Sequence, residues 1–288
     1  MIILDQAPEL ILPAHYRDAR PAIIRPGVSP DTFFPVQWDR NNRRAFVSEL
    51  VKTGRIDRDE AVNIATAIPF GMFKPVAGGS PAATVTFQGA VGGTTTGVTS
   101  VTITHNGGVR TGKWVATVGS RKASAGTQTA PTNVTFCGTA LTLVVAQAGS
   151  GDPRNLESIW ISTTDITSDG TDNLVITWTN SSDRTMTSLY AVDNLVSTTA
   201  TATASSTSGT PTLNLNVSAG GVIIAAGTNT NPTAFTWTGL TEDDDQSVGG
   251  GAEQFSTASG AFASAGTPQA VSATHGATAA ACVIASFR

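Results

Sequence analysis

At 288 residues the chain has room for one β domain of about 200 residues and a smaller attachment. Asp, Glu, Lys and Arg make up 13% of it, roughly half the usual share of about 25%, and the net charge is −4. That balance excludes the basic face a nucleic-acid binder needs, and no apolar run reaches the roughly 20 residues of a membrane-spanning helix.

The charge is unevenly spread. Residues 1–76 hold ten Lys/Arg and nine Asp/Glu, whereas residues 77–288 hold seven and twelve amid Thr, Ser, Ala and Gly. The composition therefore predicts an N-terminal attachment segment over 1–76, a linker over 77–83 and a β domain over 84–288. The start, Met1-Ile2-Ile3-Leu4-Asp5, lacks the basic region of a signal peptide, so synthesis in a cytoplasm without standard export is expected.

Six prolines (Pro8, Pro13, Pro21, Pro26, Pro30 and Pro35) keep helices from propagating through residues 1–37. Between them lie apolar pairs such as Ile23-Ile24 and Phe33-Phe34. A solvated linker would be polar, so this is an extended arm whose anchors need burial on a partner. Over 40–68 the spacing becomes helical. Phe46/Leu50 and Val47/Val51 stand four apart, Gly54 follows as a stop, and Asp57 with Glu60 gives an N-cap and its third residue before Ala61, Ile64, Ala65 and Ile68. A short helical hairpin is predicted. Its arginines are matched by nearby carboxylates, which favours a packing clip over a DNA-reading motif. Pro69-Phe70-Gly71-Met72-Phe73-Lys74-Pro75 closes the segment with two further anchors, Phe70 and Phe73.

From Val85 the periodicity is two. A hairpin is expected from 98–105 through the turn Asn106-Gly107-Gly108 to 113–119. The runs Val134/Phe136, Leu141/Leu143/Val145, Ile159/Ile161, Leu174/Ile176/Trp178 and Leu189/Ala191 read as strands with one buried face. Leu213/Leu215/Val217, 222–226, Phe235/Trp237, Val271/Ala273 and 281–287 complete about ten strands without helix alternation, the mark of an antiparallel β-sandwich. Residues 197–211 read as a surface loop, and no repeat of fixed period is present.

The histidines, His15, His105 and His275, read as surface or turn residues, and no nucleophile elbow accompanies them. Asp165, Asp169 and Asp172 offer hard oxygen ligands for a calcium ion, but without EF-hand spacing turn-shaping is the better reading; no cofactor is expected. The run Glu242-Asp243-Asp244-Asp245 reads as a solvated acidic loop. Trp178 and Trp237 share faces with core residues, whereas Trp160 alternates with Ile159 and Ile161 and could face outward as a sugar contact. Cys137 and Cys282 could bridge, but two small apolar core residues are the favoured reading.

The order Phe136-Cys137-Gly138-Thr139-Ala140-Leu141-Thr142, Ser158-Ile159-Trp160, Asn173-Leu174-Val175-Ile176-Thr177-Trp178, Gly220-Gly221-Val222-Ile223-Ile224-Ala225, Phe235-Thr236-Trp237-Thr238-Gly239 and the ending Ile284-Ala285-Ser286-Phe287 resembles jelly-roll domains of bacteriophage structural proteins. These decorate heads or build tail tips and fibres. The resemblance, over 83–288, implies a jelly-roll sandwich, a virion location, self-association as a homotrimer and contacts with other virion proteins. The expected function is a non-enzymatic structural protein held by its arm through Ile23, Ile24, Phe33, Phe34, Phe70 and Phe73. The alternative is a carbohydrate-binding adhesin that uses Trp160 and the segments 197–210 and 241–251 on a host-surface glycan.

Overall fold

The structure, a computed structural model, describes residues 81–122, 126–149, 155–207, 210–231, 233–251, 253–276 and 280–288. The proline-rich arm, its six apolar anchors and the expected helical hairpin lie outside the described residues. Residues 80–288 form one compact unit.

Thirteen strands run through the described part: β1 (Thr84–Arg121), β2 (Asn133–Phe136), β3 (Thr139–Ala148), β4 (Asn155–Ser162), β5 (Ile166–Asp193), β6 (Ala202–Ser206), β7 (Thr212–Val217), β8 (Gly221–Asn229), β9 (Thr236–Thr238), β10 (Thr241–Val248), β11 (Glu253–Phe262), β12 (Gly266–Thr274) and β13 (Ala280–Phe287). Every pairing among them in the described residues is antiparallel. The mainly β, antiparallel reading therefore stands.

β1 and β5 are each long enough to serve several ladders. Residues 84–94 run along 184–193 of β5, and 98–112 run along 166–182. Residues 113–121 then return to pair with 184–192 on the other edge of β5, and with β4 on their own far side. β2 pairs with 174–177 of β5 and with β3, and β3 pairs with β4, which closes the sheet into a barrel. The second half is a five-stranded sheet, β10-β11-β8-β13-β6, and a three-stranded sheet, β7-β12-β9.

The two halves share one pairing plan. In chain order the first half has eight runs: 84–94, 98–112, 113–121, β2, β3, β4, 166–182 and 184–193. Its first run pairs with the eighth, the second with the seventh, the third with the sixth, and the eighth also with the third. In the second half, β6 to β13, the same ranks pair: β6 with β13, β7 with β12, β8 with β11, and β13 also with β8. Seventh-with-fourth and fifth-with-sixth pairs recur as well.

Three apolar layers follow. Trp114, Phe136, Leu174, Ile176, Trp178 and Leu189 fill the first half, and Leu213, Ile223, Phe235, Trp237, Val271 and Ile284 fill the second. Between them Val115, Ile159, Ile161, Tyr190 and Val192 meet Val222, Ile224, Ala226, Val283, Ala285 and Phe287. The seam covers one face of β4, β8 and β13 and the cores of the two halves cover the other, so these strands are buried at every position. Residues 81–83, expected as linker, are built into the domain: the Ala83 N–H donates to the Gly220 carbonyl at 2.7 Å, and Ala83 is buried.

Several local expectations are corrected. Asn106-Gly107-Gly108 does not turn a hairpin back to 113–119. His105 stays opposite Asp172 and Gly108 opposite Gly170, so the extra residue makes a bulge in one continuing ladder. Ile159 and Ile161 face the seam instead of the core formed by Val134 and Leu174. Leu143 is exposed, because a register shift between Leu143 and Val145 breaks the alternation begun at Leu141. Residues 197–211 contain β6, and 241–248 are strand β10.

Candidate functional site: the polar end of the seam

The seam is apolar at one end and charged at the other. Alternation along 113–121 puts Val115 into the seam, and with it Thr117, Gly119 and Arg121. The same rule carries Tyr190 back to Ser188, Met186 and Arg184 on β5, and Ile159 back to Glu157 on β4. From the second half β11 supplies Phe255 and Glu253. Glu253 is fully buried and bound to the guanidinium groups of both Arg121 and Arg184. One carboxylate of the second half thus holds two cations of the first, a pairing that removal of either sign would leave uncompensated.

Around this triad the packing is close. Gly249, Gly250 and Gly251, with φ of 70°, 70° and 88°, turn the chain from β10 into β11. A Cβ at Gly249 would come within 2.2 Å of Arg184 Nε. Only a residue without a side chain lets this turn close over the guanidinium. Met186, Val248 and Phe255 form a small apolar cluster beside it. Glu157 is buried nearby, and its burial holds the carboxyl well above its ordinary 4.5. Farther along, the buried Tyr190 hydroxyl donates to Asp243 Oδ2 at 3.0 Å, and the Thr257 hydroxyl donates to Ser188 Oγ at 3.3 Å. The seam therefore carries polar bonds as well as apolar area.

A second polar group lies at one end of the first half. His105 is 1% exposed, and its Nε2 lies 2.9 Å from Thr187 Oγ1. Burial lowers its pKa to about 4, so the imidazole is neutral at pH 7. Cys137, with φ of 49°, has its thiol pushed up to about 12, first by burial and then by the Asp172 carboxylate beside it. A protonated thiol and a neutral imidazole are the reverse of the thiolate–imidazolium poise of a cysteine nucleophile. His275 is buried too, against the Phe235 ring at 4.7 Å. The surface reading of His105 and His275 is thus corrected: His105 stands inside the continuing β1 ladder and His275 directly after β12, and both are buried.

The remaining sequence candidates fall as follows. Asp165 is exposed and pairs with Lys113 Nζ at 2.9 Å, whereas Asp169 accepts from the Thr171 N–H at 2.9 Å within its own turn. Asp172 faces inward below that turn, so the three carboxylates do not converge. Among the described residues no group of three or more His, Cys, Asp or Glu is placed to hold a metal ion. Trp160 is 5% exposed, lies in the first-half core and donates from Nε1 to Ser158 Oγ at 3.0 Å, so it offers no face to a sugar. The acidic run is bonded, not merely solvated: Asp243 is bound by Tyr190, and Asp245 accepts from the Phe235 N–H at 3.0 Å and from Gln254 at 2.6 Å. Cys137 and Cys282 are unbridged and belong to different halves.

The Arg121–Glu253–Arg184 triad was not legible beforehand. Residues 121, 184 and 253 carry no local motif, and only the pairing of β1 with β5 and the seam bring them together. Comparison of the chain with protein families, with curated proteins and with solved structures finds no match.

Proposed function

We propose that this chain is a non-enzymatic virion structural protein whose β part is a tandem of two jelly rolls, displayed on a particle and fastened to it by residues 1–76. The observation that carries the reading is the repeated pairing plan: first run with eighth, second with seventh, third with sixth, in both halves. A long antiparallel ribbon folded over on itself gives that order, and it is the order of a jelly roll. The fixed seam supports the rest. Two β halves joined by an apolar layer and a buried ion triad suit a structural role better than a hinged catalytic one. In this reading Ile23, Ile24, Phe33, Phe34, Phe70 and Phe73 fill pockets on neighbouring subunits, other virion proteins among them, and the chain assembles as a homotrimer.

Sedimentation of a lysate from producing cells tests this. The chain is expected in the fraction of nuclease-resistant particles. Its recovery wholly among free soluble proteins, while particles form without it, would overturn the reading.

A further inference from the structure

We propose that Asn106-Gly107 is a site of spontaneous deamidation in the folded protein. It is the one Asn-Gly pair in the chain. The reaction needs the amide nitrogen of the following residue to reach the Asn side chain. A β-ladder ordinarily blocks this by holding the backbone extended and the N–H in a cross-strand bond. Here the ladder lapses at the required place. His105 pairs with Asp172 and Gly108 with Gly170, so the register of β1 against β5 shifts by one residue between them, at the Asn106-Gly107 step. Asn106 is exposed to solvent, residue 107 has no Cβ to hinder attack, and Gly108 follows with φ of 79°.

The chemistry balances without a co-reactant other than water. The Gly107 nitrogen loses its proton to solvent base and attacks Asn106 Cγ. The bond from Cγ to Nδ2 breaks, and ammonia leaves. Water then opens the cyclic imide at either carbonyl, giving aspartate or isoaspartate. Either product places a new negative charge on the outer strand of the first half. Isoaspartate also adds a methylene to the backbone beside buried His105.

A neighbouring pair supplies the contrast. Asp169-Gly170 lies across the same ladder, but Gly170 stays in register with Gly108, and its N–H donates to Ser168 Oγ at 3.2 Å. Asp169 Oδ1 is itself engaged by the Thr171 N–H at 2.9 Å. Isoaspartate is expected at 106 and not at 169.

The full chain would be held folded at mildly alkaline pH and mapped by peptide mass spectrometry with isoaspartate detection. A denatured sample and the variants Asn106→Gln and Gly107→Ala would run alongside. The folded wild type is expected to convert at position 106 at a rate within a few-fold of the denatured chain. Asn106→Gln should stay unmodified there, and Gly107→Ala should slow the conversion severalfold. Retention of Asn106 in the folded chain while the denatured chain converts would overturn the proposal, because the strand would then protect the pair despite the bulge.

Discussion

Gly119 and Phe255 touch across the seam: a Cβ built on Gly119 would lie 2.3 Å from the Phe255 ring and 2.7 Å from Glu157 Oε2. Glycine at 119 is what allows the β1 backbone of one half to meet a β11 side chain of the other. Gly119→Ala is expected to push the halves apart locally and cost about 1–3 kcal/mol, the usual scale of overpacking. Denaturant unfolding of variant and parent would show it, and an unchanged midpoint would mean the seam has slack here.

The buried triad gives a larger effect. Glu253→Gln removes the fully buried charge that binds both Arg121 and Arg184, breaking two ion pairs at once. A loss of about 3–5 kcal/mol is expected, as for other broken buried pairs. The triple variant Glu253→Gln, Arg121→Met, Arg184→Met should recover part of it, since apolar replacements carry no stranded charge. A triple variant no more stable than the single one would locate the cost elsewhere.

Two buried groups set opposite pH dependences. The neutral form of His105 is favoured in the fold, with its pKa near 4 against an ordinary 6.5. The folded state thus binds fewer protons, and stability falls as pH drops from 6.5 towards 4, by about 3 kcal/mol in full. Glu157 is raised, so its contribution is complete below its ordinary 4.5 and is lost as pH climbs. His105→Gln should flatten the acid limb of the stability profile, and Glu157→Gln the limb above 4.5. Variant profiles parallel to the parent's would contradict the assignment.

The interior of the first half was legible because its strands have one wet face. Leu174, Ile176 and Trp178 alternate with Val175, Thr177 and Thr179, and all three lie in the first-half core. β4, β8 and β13 were recognisable as strands, but burial on both faces erases the alternation that would say which residues face the core and which the seam. The shared pairing plan was hidden for a related reason. What the halves share is pairing order, and the ladder of residues 98–112 in one half corresponds to the short β7 in the other. The buried state of His105 was masked by the Asn-Gly-Gly that follows it, which reads locally as a turn and makes a bulge only because β5 is there to pair with.

The thiols give a further check. Cys282 is fully buried, Cys137 is half-buried, and they stand in separate cores. Under native conditions a thiol reagent should label Cys137 slowly, since its thiol is held up at about 12, and should leave Cys282 untouched until the protein unfolds. Recovery of a Cys137–Cys282 disulfide in the oxidised protein would require the two halves to be arranged differently.

The central claim is that residues 80–288 are a self-sufficient rigid block and that residues 1–76 make the assembly contacts. It is tested most directly by the mass in solution of the full chain beside a chain beginning at Ser80, by size-exclusion chromatography with light scattering. The account predicts a folded monomer for the shorter chain and a defined oligomer, three chains, for the full one. Two clean monomers, or an oligomer that persists without residues 1–79, would contradict it.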